Sequence, residues 1–259
     1  MNNITAVAGI VIKELYRRKD FYVLFILTAL ITLVAGSANF FNDDRIIRYV
    51  KEICLLLIWI SMLVVAVTMA ARHIPMERES RTIFPLLAKP ITRKEVMLGK
   101  FLGCWLACGI ALLLMYVFFG VVTVVREESW HLMNYAQAML LHWAMLAIII
   151  AMALLGSIVL AAPSSTNTIL LIVCTGILMI GRHLNKVAIK QPEPQQTILY
   201  ALYYVIPHLE FFDVRDLIIH NWPLIPWPVF GMAVLYAAVY TAVFLTTAVF
   251  AFNRKSLAG

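Results

Sequence analysis

Glu77, Glu79, Thr82, Leu86, Leu87, Pro90 and Arg93 set acids, an apolar turn and a base close together in an otherwise apolar chain. Nine of the chain's 21 basic and 14 acidic residues fall between Glu77 and Lys100. On charge alone, a polar, two-proline segment between two apolar spans reads as a solvated loop. Glu77, Arg78, Glu79, Ser80 and Arg81 are expected to open a short helix, with acids early as the helix dipole favours. Pro85 interrupts it, and Pro90 closes the Leu86-Leu87-Ala88 turn because the residue before a proline avoids helix. Thr92, with Glu95 three residues on, reads as a capping box that starts a new helix.

The other reactive side chains do not assemble into a site. Asp43 and Asp44 are adjacent acids with no His or further acid at ligand spacing, which reads as a solvated loop. Cys54, Cys104, Cys108 and Cys174 all sit inside apolar runs. Cys104 and Cys108 share one helical face, but neither has a neighbouring His or acid, so they read as small core residues. His131, His142, His183, His208 and His220 are expected on or near the outer side and share no spacing. No metal, cofactor-binding or catalytic residue is assigned. Gly-x-x-x-x-Gly-Lys-Ser/Thr, Gly-x-Ser-x-Gly and His-Glu-x-x-His are all absent from the sequence.

The elements that must carry this loop are set by hydropathy. Of 259 residues, 63% are hydrophobic and 14% charged, with a mean hydropathy of +0.88. Soluble domains run near 45–50% apolar and about 25% charged. The chain is therefore expected to be an all-α integral membrane protein, since helices leave no unpaired backbone in lipid. Six spans are predicted, at about 21–38, 53–71, 101–125, 138–162, 168–181 and 229–252. Residues 1–19 carry an apolar stripe (Ile4, Val7, Ala8, Val11, Ile12, Leu15) and read as an interfacial helix. They contain no Ala-x-Ala cleavage signature. Asn42–Glu52 reads as a short polar loop, and Pro163–Asn167 as a tight turn.

Residues 185–228 hold six prolines and two apolar pieces too short to cross. Trp222 and Trp227 are interface anchors. This segment is expected to be a short-helix hairpin on, or dipping into, the outer leaflet. With the N-terminus inside, thirteen Lys and Arg fall on the inner side and eight on the outer, the expected positive-inside bias. Both termini are thus predicted to be cytoplasmic. The net charge of +7 is spread over span ends, which excludes a nucleic-acid footprint. Within the predicted span interiors there is no Asp, Glu, Lys or Arg. Such groups cost at least about 2.5–3.5 kcal/mol at mid-bilayer and are normally kept for function. Their absence argues against an ion-driven transporter.

In order, Glu77, Glu79, Thr82, Leu86-Leu87, Pro90, Arg93, Glu95 and Gly99-Lys100 resemble the first cytoplasmic loop of type-2 ATP-binding-cassette (ABC) exporter permeases. One departure is Arg81, where the family often has Gly. The resemblance covers about two dozen residues and implies one permease domain over 1–259. Residues 72–100 would then be a cytoplasmic coupling loop, with Glu77, Glu79, Thr82, Leu86, Leu87, Pro90 and Arg93 contacting a separate ATPase. It further implies an ABC ATPase subunit pair that binds ATP and Mg, a second permease copy (homodimer or sister permease), and re-entrant outer helices before the last span. The plasma (inner) membrane is the implied location, with lipid as surroundings. The alternatives are an ion-gradient-driven transporter or channel, and a non-transporting membrane scaffold.

Overall fold

The computed structural model describes residues 3–17, 19–37, 44–79, 91–124, 131–160 and 162–254. The chain runs α1 (Asn3–Arg17), α2 (Lys19–Ser37), α3 (Asp44–Glu79), α4 (Arg93–Val124), α5 (Leu132–Val159), α6 (Pro163–Ala188), α7 (Gln195–Val205), a 3-10 turn at Leu209–Phe212, α8 (Arg215–Ile219) and α9 (Trp227–Arg254). Among the described residues there is no strand. Among the described residues, five helical stretches are long and apolar enough to cross a bilayer: Arg48–Met76, Arg93–Thr123, Leu132–Val159, Ser164–Gly181 and Trp227–Arg254. The expected first span coincides with α2, a helix of 19 residues.

Three boundaries differ from expectation. Residues 44–52 are not a loop but the first turns of α3, whose helix continues unbroken to Glu79. Glu77 and Glu79 therefore end a long helix rather than open a short one. Pro163 does not make a turn; it begins α6. At the first helical position the missing proline N–H has no partner to lose, so Pro fits there. The Thr166 amide then closes the first turn onto the Ala162 carbonyl at 3.1 Å.

The core lies between α3, α4 and α5. Ile58, Met62 and Ala66 of α3 meet Cys108 and Leu112 of α4 and Met145, Ile148 and Ile149 of α5, all at most 1% exposed. All four cysteines are buried, with Cys104 and Cys108 in this core. The two outer helices bury one stripe each. Ala237, Thr241, Leu245, Ala248 and Phe252 face inward from α9, at helical spacing. Thr166, Leu170, Cys174 and Ile177 do the same from α6.

Two helices outrun even the roughly 40–45 Å of bilayer that includes the headgroup regions. The 36 residues of α3 span about 54 Å and the 32 of α4 about 48 Å at 1.5 Å per residue. The hydrocarbon core is only about 30 Å thick. Both helices must project beyond it.

Candidate functional site

The chain between the end of α3 and the start of α4 carries the predicted contact residues. Glu77 and Glu79 lie in the last turn of α3. Thr82, Leu86, Leu87 and Pro90 lie outside the described residues. Arg93 opens α4. The elements on either side of this loop are tied together by four separate devices.

The first is the cap of α4. The Glu95 amide donates to Thr92 Oγ1 at 3.2 Å, and the Thr92 amide donates to Glu95 Oε2 at 2.7 Å. This is the reciprocal capping box that the sequence predicts. Asn3 Nδ2 donates to the other carboxylate oxygen, Oε1, at 3.4 Å.

The second is a notch in α4. A Cβ at Gly99 would stand 2.7 Å from Val7 Cβ, and one at Gly103 would stand 2.6 Å from Val11 Cβ. Only glycine lets α1 approach this closely, so Gly99 and Gly103 form a small-xxx-small seat. The contacts run in one register and one direction: Asn3 to Glu95, Val7 to Gly99, Val11 to Gly103. Phe25 of α2 then meets Phe118 further along, ring centroids 6.4 Å apart. Helix α1 thus runs parallel to the first turns of α4, and α2 touches α4 further along. The apolar stripe of α1, expected to face lipid, is in part spent on α4: Val7 and Val11 are 6% and 3% exposed.

The third device joins α3 to α4 and α1. Lys100 is 1% exposed, and its Nζ donates to the His73 carbonyl at 3.4 Å. His73 Nδ1 stands 3.7 Å from Glu14 Oε2 on α1. The fourth closes the bundle from the far end of the chain. Arg93 Nη1 donates to the carbonyls of Phe252 at 2.6 Å and Asn253 at 3.3 Å. Its guanidinium carbon lies 5.3 Å from the centre of the Phe252 ring. A cation at a helix C-terminus satisfies carbonyls that the helix itself cannot.

The residues of the motif therefore divide. Arg93, Glu95, Gly99 and Lys100 brace the helices that hold the loop, whereas Glu77 and Glu79 sit at its exit from α3. The bracing is visible in part in the sequence, as the spacing Gly99-x-x-x-Gly103. Its partners in α1 and α9 lie about ninety or more residues away in the sequence and leave no local signal.

The opposite end of the bundle is tied as firmly. Lys51, 1% exposed, donates from Nζ to the Ile218 carbonyl at 3.2 Å. Asn134 Nδ2 donates to the Trp222 carbonyl at 2.9 Å. Gln137 both donates to the Ile225 carbonyl and accepts from its amide, each at 3.0 Å. Arg215 makes a two-bond pair with Asp213, at 2.7 and 3.0 Å, and lies over the Trp59 ring at 5.6 Å. Burial opposes the Arg215 charge, but the hydrogen bond and charge of Asp213, with Asp216 and Tyr116 adding, hold the guanidinium above its ordinary range.

His142 is set deeper than the sequence suggests. It is 2% exposed and stacked on Trp59 with ring centroids 6.2 Å apart. Among the described residues, no group of three or more His, Cys, Asp or Glu could hold a metal ion.

Residues 6–257 match the family described as ABC-2 family transporter protein. The chain belongs to this family. No curated protein matches it. As an ABC-2 member with five membrane-crossing stretches, it is a multi-pass membrane permease of an ABC transporter. ABC-2 permeases are the membrane component and normally work with an ATPase subunit. The braced end at the α3–α4 loop and the clamped end opposite it are then the two poles of an ABC-2 permease domain.

Proposed function

We propose that this chain is the permease of an ABC exporter, driven by a separate ATPase through the loop between α3 and α4. The observation that carries the reading is the bracing around that loop. Three helices meet there: α3 and α4, which outrun the bilayer, and α1, which lies in the Gly99–Gly103 notch. Lys100, Glu95 and Arg93 fix them to one another and to α9. A push delivered at the loop would be passed into the core as a rigid-body motion, not absorbed locally.

In this reading α2 is the sixth span and the termini are cytoplasmic. The loop, with Glu77, Glu79, Thr82, Leu86 and Leu87, touches an ATPase pair that binds ATP and Mg. The apolar outward faces of α6 and α9 meet lipid or a second permease copy. Cargo is moved outward, and an apolar interior suits an amphipathic or hydrophobic substrate.

The test is reconstitution. A separate ABC ATPase, recognised by its phosphate loop, should co-purify with this chain and be stimulated by it. Transport driven by an ion gradient with no ATPase present would overturn the reading.

A further inference from the structure

His142 stands where α3, α4 and α5 meet. Its ring stacks on Trp59 of α3, centroids 6.2 Å apart, and meets Tyr116 of α4 edge-on, also at 6.2 Å. His142 is 2% exposed and Tyr116 6%. Arg215 of α8 closes one side of the cluster, its guanidinium carbon 5.6 Å from the centre of the Trp59 ring.

An imidazole always carries at least one N–H donor, and in the neutral ring the other nitrogen accepts. Among the described residues, neither Nδ1 nor Nε2 of His142 has a hydrogen-bond partner. The Trp59 indole nitrogen, a donor only, is buried and equally unpartnered. Three polar atoms on two stacked rings thus lie inside the bundle with no bond from the chain. A turn and a half earlier in α5, Gln137 is satisfied in both directions by Ile225. Buried polar atoms are rarely left bare. Where the chain supplies no partner, an ordered water bonded to two to four polar atoms does so.

We propose that His142 and Trp59 hold ordered water inside the α3–α4–α5 core. Water suits these atoms because it both accepts and donates. It takes the indole and imidazole N–H groups and gives a hydrogen to the remaining imidazole nitrogen. A metal ion would need further ligands, and among the described residues no group of three His, Cys, Asp or Glu could supply them. A cationic ligand would meet the Trp59 N–H and the Arg215 guanidinium, both of the wrong sign. The site needs no charge on either ring.

The purified full chain in nanodiscs would be given a short X-ray pulse, which turns water into hydroxyl radicals where it stands. Oxidised residues are then read by mass spectrometry. His131, exposed just before α5, reports bulk water, and Met97, 0% exposed, reports dry core. His142 should oxidise at a rate within tenfold of His131 and at least tenfold faster than Met97. Mixing into heavy-oxygen water just before the pulse should label His131 at once and His142 only after a delay, because a held water exchanges slowly. Protection of His142 to the level of Met97 would overturn the proposal, since the rings would then be packed dry. Heavy oxygen reaching His142 as fast as His131 would also overturn it, by showing bulk solvent and no held water. Neither readout depends on an ATPase or on a variant that must fold.

Discussion

Trp105 and Trp143 hold α4 and α5 together by a reciprocal exchange. Each indole N–H donates to the other residue's main-chain carbonyl, at 3.1 and 2.9 Å. Their rings stack with centroids 4.3 Å apart. Gly109 makes the room: a Cβ there would stand 2.6 Å from Trp143 Nε1. The pair thus satisfies two indole donors inside an apolar bundle and fixes the sliding register of two long helices.

Gly109→Ala should therefore be worse than removing a hydrogen bond. The added methyl displaces the Trp143 ring from both its stack and its carbonyl, an overpacking change of about 1–3 kcal/mol. Trp143→Phe keeps the stack and loses one donor, about 0.6 kcal/mol on average inside membranes. Thermal unfolding of the purified variants should rank Gly109→Ala below Trp143→Phe and both below the parent. The reverse order would mean that the ring is free to move.

The seat of α1 predicts a change in chemical accessibility. Val11 is 3% exposed because Gly103 lets it in. A Val11→Cys thiol should react slowly with a maleimide in the purified protein. Adding Gly103→Leu should lift α1 off α4 and speed the reaction at least tenfold. Equal rates in the two proteins would show that α1 does not depend on the notch.

Arg93 separates two roles by experiment. Its bonds to the Phe252 and Asn253 carbonyls are internal, and hydrogen bonds to a charged group contribute about 1.5–3 kcal/mol. Arg93→Ala should lower the unfolding temperature of the isolated permease. Arg93→Lys should restore only part of it, since an ammonium cannot reproduce the planar stack on Phe252. If Arg93→Ala unfolds like the parent and loses only its ATPase, the residue is a docking contact and not a brace.

The fold is legible in the sequence where partners are local and obscure where they are distant. The Thr92–Glu95 cap is readable because both partners lie within one turn. The core cysteines are readable because apolar runs bury small residues. Pro163 is ambiguous because a proline marks a turn and a first helical position equally well. Residues 44–52 look like a loop by charge, yet Lys51 is helical and buried because the Ile218 carbonyl receives it, and nothing within one turn of Lys51 signals a partner in α8. The α1 stripe gives a helix and a buried face, but not what covers that face. Periodicity states that a side is apolar, and only the Gly99–Gly103 spacing hints at which helix comes close. Thr82, Leu86, Leu87 and Pro90 lie outside the described residues, so their reading rests on the motif.

Topology is open to a direct test. Single cysteines at Arg45, Glu79 and Glu193, in a background lacking the four native thiols, should respond differently to an impermeant thiol reagent on intact cells. Positions 45 and 193 should label and position 79 should not. Labelling confined to position 79 would invert the molecule and put the loop on the wrong side for a cytoplasmic ATPase.

The loop itself yields the sharpest expectation. Glu77 and Glu79 lie in the last turn of α3, and two residues on a helix are separated by about 200°. They cannot both face one partner surface. An acid lost from a partly buried interfacial pair costs about 2–5 kcal/mol, because the opposing charge is left unpaired. A solvated acid costs under about 1 kcal/mol. Glu77→Ala and Glu79→Ala should therefore differ clearly in ATPase stimulation, one falling by tenfold or more and the other by little. Leu86→Asp should be at least as harmful as the stronger of the two, since it puts a charge on the apolar turn expected to pack against the partner. All three should insert and unfold like the parent, because the loop is expected to lie outside the bilayer. Pull-down and turnover at equal expression measure the effect. Three variants that bind and stimulate the ATPase like the parent would remove this loop from the coupling path, and the bracing around it would then need another purpose.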